Sequence, residues 1–252
     1  MNPMAQFEVK PLVPLHIGGY DVSFTNQSLW MCIVVGAIAL FMTYAARSRS
    51  LVPSRVQSMA ELSYEFVANM IQSAAGEEGL KFFPLVFTLF MFVLLSNFFG
   101  LLPGSFTVTS QIAVTFALAA VVVLTVIVTG FLQHGVGFLK LFVPKAPFLL
   151  LLLLVPIEII SFLTRPVSLS VRLFANMLAG HTMLKVFAGF VILLGATVTS
   201  RTPWFAPLSI APMFLIVAIT ALEILVAFLQ AYVFAILTCI YLNEALHLHE
   251  HH

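Results

Sequence analysis

Arg172 stands between Val171 and Leu173 in the run SLSVRLFANMLAGHTMLKVF, and no acidic residue lies nearer in the chain than Glu158 on one side or Glu223 on the other. A guanidinium cannot shed its proton to escape an apolar setting, because its pKa lies above about 12. A charge at the centre of a membrane helix costs about 2.5–3.5 kcal/mol, so such a residue faces a partner protein or a watery cavity. It has company. Glu158, Arg165, Asn176, His181 and Lys185 share its apolar stretch. On a helix, Glu158, Arg165, Arg172 and Asn176 fall within about 40° of one another and form one polar stripe. His181, nine residues past Arg172, points to the opposite side. A second stretch carries Thr220, Glu223, Gln230, Thr238 and Tyr241, of which Glu223, Gln230 and Tyr241 share a face. Ala175, Ala179 and Gly180 on one stretch, and Ala221 and Ala227 on the other, are small enough to let helices approach closely in lipid.

The chain that must position these groups has 252 residues, 61% of them hydrophobic and only 8% charged. A soluble domain needs about a quarter charged residues, so most of this exterior faces the lipid bilayer. The net charge of +1 points to no nucleic acid and no acidic partner. Cys32 and Cys239 lie in apolar runs and read as small buried hydrophobes rather than a disulfide. No metal-spaced cluster, no haem-type histidine pair within the spans and no cofactor motif is visible. The terminal HLHEHH reads as a solvated tail. The amino terminus lacks the basic start and short apolar core of a cleavable signal.

About 20 apolar residues are needed to cross a hydrocarbon core. Spans are expected over 27–46, 82–101, 110–133, 147–199 and 207–246. The last two are too long to stand upright. At about 1.5 Å per residue the first of them reaches roughly 75–80 Å, so it must be tilted, kinked or broken, with Pro166 the expected kink. Residues 55–75 repeat apolar positions at helical spacing, with Glu61, Glu65 and Gln72 mostly elsewhere; this reads as an amphipathic interfacial helix. The fold class is thus an all-α polytopic membrane protein, a single integral membrane domain over 1–252. It has five crossings plus one interfacial helix, and the last two crossings make a long, strongly tilted hairpin. Arg47, Arg49, Arg55, Lys81, Lys140 and Lys145 then flank one side, which places the amino terminus outside and the carboxyl terminus inside. Two crossings within 147–199 would reverse the latter.

Plainer readings stand beside the functional one. Arg165 and Lys185 could snorkel to an interface. Arg172 and Glu223 could form a structural interhelical pair, and His181 could be a hydrogen-bonded packing residue. Thr220, Thr238 and Tyr241 read individually as packing.

RPVSLSVRLFANMLAGH, followed about fifty residues after its arginine by ALEILVAFLQAYVFAILTCIYLNEA, resembles subunit a of the F-type ATP synthase membrane sector. The outer amino terminus, the surface helix, SNFFGLLPG and the final long hairpin all fit that family. The resemblance implies a non-catalytic stator subunit that needs no cofactor or metal. It would sit beside a ring of c-subunit proteolipids, each with one membrane carboxylate, and beside peripheral-stalk b subunits and the rest of the complex. H⁺ would enter by one half-channel, ride the ring and leave by a second, offset one. By the same resemblance Arg172 is the essential rotor-facing arginine. Asn176, His181, Glu223 and Gln230 belong to the outer half-channel, and Glu158 and Ser168 to the inner one. Relative to many bacterial members, the histidine and the acidic residue at positions 181 and 223 are exchanged, as in mitochondrial ones. The implied location is a bacterial inner membrane rather than a mitochondrial one. Two other readings remain open at this level: a self-contained proton-coupled transporter, and a non-conducting structural subunit of a respiratory complex.

Overall fold

The structure, a computed structural model, describes residues 8–14, 16–17, 20–21, 23–47, 53–102, 105–142, 148–200 and 210–246. The HLHEHH tail, the loop with Arg201, the positions of Arg49 and Lys145, and the first three residues of the expected last span lie outside the described residues.

Among the described residues, six α-helices follow a small antiparallel hairpin. In the hairpin β1 (Pro11–Val13) pairs with β4 (Phe24–Thr25), and β2 (His16–Ile17) with β3 (Tyr20–Asp21). The hairpin did not register in the sequence because a few paired residues carry almost no periodic signal. Asn26 ties it to the first helix: its amide donates to the Lys10 carbonyl at 3.0 Å, and its side chain accepts from the Lys10 amide at 3.1 Å.

Helix α1 spans Asn26–Arg47, α2 Arg55–Gly79, α3 Phe83–Gly100, α4 Ile112–His134, α5 Phe148–Ser200 and α6 Ile210–Leu246. Five segments are long and apolar enough to cross a membrane. Starts and stops follow local chemistry. Ser54 caps α2 by accepting from the Gln57 amide at 3.3 Å, and Pro84 sits in the first turn of α3, where its missing donor costs little. Gly76 takes φ 66° and breaks the helical backbone of α2 one turn before its end, a conformation open to glycine because it lacks a Cβ.

Helix α6 is the hub, with α2, α3, α4 and α5 all packed on it. Val67 and Ile71 of α2, Phe90 and Val93 of α3, Val122 of α4, Leu173 of α5 and Phe234 of α6 join one buried cluster. Helix α2 buries Ala60, Val67, Met70 and Ile71, while Glu61, Glu65 and Gln72 stay exposed. Met59 and Phe66, expected on its apolar stripe, are exposed. So is Cys32, whereas Cys239 is buried. Helix α5 spans both Pro156 and Pro166 as one helical element of 53 residues, with Pro166, the expected kink site, inside it. None of the residues in its most apolar 18-residue stretch is fully buried against the described residues, so that part of α5 keeps an open side.

Candidate functional site

The polar residues of the α5–α6 hairpin gather at two levels with Arg172 between them. At the first level His181 of α5 meets Glu223 of α6, Nδ1 to Oε1 at 3.7 Å, with both side chains buried. That separation is ion-pair range but longer than a hydrogen bond. Neither carboxylate oxygen of Glu223 finds a hydrogen-bond donor among the described residues, and the side-chain amide nitrogen of the buried Gln230, two turns along α6, finds no acceptor there. The close approach depends on Gly180. A Cβ added there would overlap the Glu223 carboxylate, lying 3.1 Å from its Cδ.

At the second level Arg165 of α5 hydrogen-bonds Glu244 of α6. The other terminal nitrogen of the same guanidinium lies 4.0 Å from Glu158. The Tyr241 ring stands 5.1 Å from the guanidinium carbon, within reach of a cation–π interaction. Arg165 therefore has partners on the neighbouring helix, Glu244 and Tyr241. It links the two helices. Sequence reading missed Glu244 because an acidic residue near the last turn of a span looks like the end of the apolar run. Its spacing of three from Tyr241 was the available signal.

Arg172 is exposed and makes no hydrogen bond or ion pair among the described residues. A structural pair between Arg172 and Glu223 is thus not formed: Glu223 is on the other side of α5, against His181. By helical rise Arg172 lies about 10 Å along α5 from Arg165 and about 14 Å from His181. Asn176 is half-buried, Ser168 exposed and Glu158 partly exposed on the same stripe. Beside Arg172, the side chains of Phe174, Ala175, Leu178, Ala179, Thr182 and Met183 form an open apolar groove of about 660 Å³.

Buried polar residues set the rotation of these helices. Ser170 and Thr115 of α4, both buried, lie 3.0 Å apart, oxygen to oxygen. The Thr115 hydroxyl also donates to the Ile112 carbonyl at 3.1 Å, which leaves Ser170 as donor to Thr115. Two positions along a helix are about 200° apart, so pinning Ser170 inward turns Arg172 outward. On α3 the fully buried Asn97 donates to the Ala227 carbonyl of α6 at 3.2 Å and accepts from Thr109 at 2.9 Å. Asn97 also escaped the sequence reading, although an asparagine deep in an apolar run was a visible signal. Among the described residues no three His, Cys, Asp or Glu side chains converge to hold a metal ion.

The chain matches the family model described as ATP synthase A chain over residues 28–243, which takes in every polar residue of the two levels except Glu244. It is similar to an ATP synthase subunit a from Mesorhizobium japonicum, 60% identical over 98% of this chain and 97% of that protein. It is also similar to proteins of the same name from Rhizobium meliloti, 59% identical over 98% of this chain and 97% of that protein, and from Parvibaculum lavamentivorans, 58% identical over 98% and 94%. Matches of this length run through all the helices that build the two polar levels, and the chain belongs to the ATP synthase A chain family.

Proposed function

We propose that this chain is the proton-translocating stator subunit of an F-type ATP synthase in a bacterial inner membrane. It offers two offset half-channels to a ring of carboxylate-bearing proteolipids and carries no catalytic centre of its own. One observation carries the reading. An exposed Arg172, with no ion pair among the described residues, sits between two ionic clusters whose anchors, Arg165 and His181, are 16 residues apart on one helix, roughly 24 Å along its axis.

A guanidinium with no ion-pair partner among the described residues stabilises a carboxylate that comes to it in ionised form. A protonated carboxyl of the ring gains nothing from Arg172 and gives up its proton before passing, so protons do not slip directly between the two sides. The apolar groove with Ala175 and Ala179 suits the close approach of a second helix. At one level, His181, Glu223, Gln230 and Asn176 form the outer access path. A buried carboxylate without a protein donor is tolerated where water or a proton reaches it, which fits Glu223 in this role. At the other level, Glu158 with Ser168 forms the inner path. Each proton crossing 100 mV releases about 2.3 kcal/mol, and the separation of the paths compels that release to drive rotation. Peripheral-stalk b subunits are the remaining membrane partners in this reading.

The test is ATP-driven proton uptake by inverted membrane vesicles carrying the assembled complex with Arg172→Gln or Arg172→Ala. Coupled uptake is expected to disappear while the complex still assembles. Uptake at the native rate would refute the reading and leave a structural subunit in its place.

A further inference from the structure

The second polar level holds an imbalance that the path assignment does not use. Two carboxylates, Glu158 and Glu244, face one guanidinium, Arg165. The contacts are unequal. Glu244 is hydrogen-bonded to Arg165, whereas Glu158 stands 4.0 Å away, at the outer limit of an ion pair. The Tyr241 ring lies against the guanidinium and restricts its swing. Helix α6 is itself held at this end, since the Leu246 carbonyl lies 3.2 Å from His134 Nε2 of α4. The side chain of Glu158 is the most open of the three, at 39% exposed against 31% for Glu244 and 23% for Arg165.

We propose that Glu244 is the resident counter-ion of Arg165, and that this pairing keeps Glu158 uncommitted and able to exchange a proton. Arg165 and Glu244 are then positioning residues for Glu158. The proposal rests on the reading of Glu158 as part of the inner proton path. One guanidinium neutralises one carboxylate; without Glu244, the fork is free to turn to Glu158, two turns away on its own helix and the same face. The charged group facing Glu158 is Arg165 from α5, which in turn carries Glu244 and Tyr241 of α6; His134 of α4 lies at the Leu246 carbonyl at the end of α6. A charge at Arg165 without Glu244 therefore harms Glu158 more than removing both.

The experiment compares Glu244→Gln, Arg165→Gln/Glu244→Gln and the triple variant that adds Glu158→Gln. The assembled complex is assayed in inverted vesicles for ATP-driven proton uptake, and for passive proton flow after the catalytic sector is stripped. Complex content is measured by immunoblot. Glu244→Gln is expected to lower both fluxes about two- to fivefold, the factor carried by one part-exposed charge pair. The double variant is expected to recover most of the loss, and the triple variant to lose it again. A purely structural clamp would leave the double variant no better than the single one, and that result would overturn the proposal. So would native flux in Glu244→Gln, or recovered flux in the triple variant. If Glu244→Gln fails to assemble, the double variant decides alone, by native-like or lost flux. Arg172→Gln, run alongside, separates the two failures. Native pumping in that variant sinks the stator reading, whereas its loss together with native pumping in Glu244→Gln sinks this inference only.

Discussion

Glu223 is 3% exposed in a chain that is only 8% charged, and the space for its carboxylate comes from a missing side chain on the facing helix. Gly180 supplies that space beside His181, so the contact at 3.7 Å is set by backbone proximity rather than by a hydrogen bond. Gly180→Ala puts a methyl group where the carboxylate sits, and overpacking of this kind costs about 1–3 kcal/mol. Coupled proton uptake is expected to fall severalfold at unchanged complex content. Adding Glu223→Asp, which withdraws the carboxylate by one methylene, is expected to restore part of it. Gly180→Ala pumping at the native rate would show that the carboxylate position is not constrained from this side. Asn97 is constrained differently, because both ends of its amide are spent inside the chain, on Ala227 and Thr109. Asn97→Leu is expected to lower the midpoint of thermal denaturation in detergent, since it strands the Thr109 hydroxyl and removes a bond worth about 0.6 kcal/mol on average in a membrane bundle. An unchanged midpoint would count against the tie.

Among the elements, α5 presents the sharpest contrast between propensity and outcome. Two prolines each remove a backbone donor and crowd the preceding turn, yet α5 is one helical element over 53 residues. Packing against α4 and α6 on one side holds it, and the Thr115–Ser170 bond fixes which side that is. Thr115→Val and Ser170→Ala are each expected to destabilise the subunit by about 0.6 kcal/mol. The pair together should be little worse than either alone, as a double-mutant cycle on thermal unfolding would reveal. Full additivity would mean that the two hydroxyls act independently. In α2 the turn at Gly76 has φ 66° with open space around its Cβ position, so Gly76→Ala meets only backbone strain. At ψ −168° this is a region essentially reserved to glycine, where a side chain costs of the order of 1–3 kcal/mol, and the strain is expected to lower the yield of folded subunit rather than its pumping per complex. Native yield would show that the bend accepts a side chain.

At the scale of the whole molecule the arrangement is a hub, α6, with four helices on it and one side of α5, with Arg172 on it, left exposed. Stability and function use different faces. The buried cluster of α2, α3, α4 and α6, joined by Leu169 and Leu173 of α5, holds the hub, while Arg172 and the groove beside it lie outside that core. Arg172→Gln is therefore expected to spare folding while abolishing coupled pumping. The packing itself can be checked by oxidative cross-linking of cysteines placed at 115 and 170, on α4 and α5, in an otherwise cysteine-free chain within membranes. Efficient cross-linking is expected, and its absence would contradict the α4–α5 contact.

The character of the chain was decided by its sequence alone. A composition this apolar has no soluble solution, and five runs of sufficient length must be helices because lipid leaves backbone groups no other partner. The polar stripe through Glu158, Arg165, Arg172 and Asn176, and the opposed direction of His181, also followed from helical periodicity. The partners of those side chains did not. That Glu223 lies against Gly180 and His181, that Arg165 takes Glu244, and that Asn97 reaches Ala227 depend on the register between helices far apart in the chain. Periodicity says which side of a helix a residue occupies but not what stands opposite. Only the packing of α3, α4 and α5 around α6 settles that, and with it the isolation of Arg172.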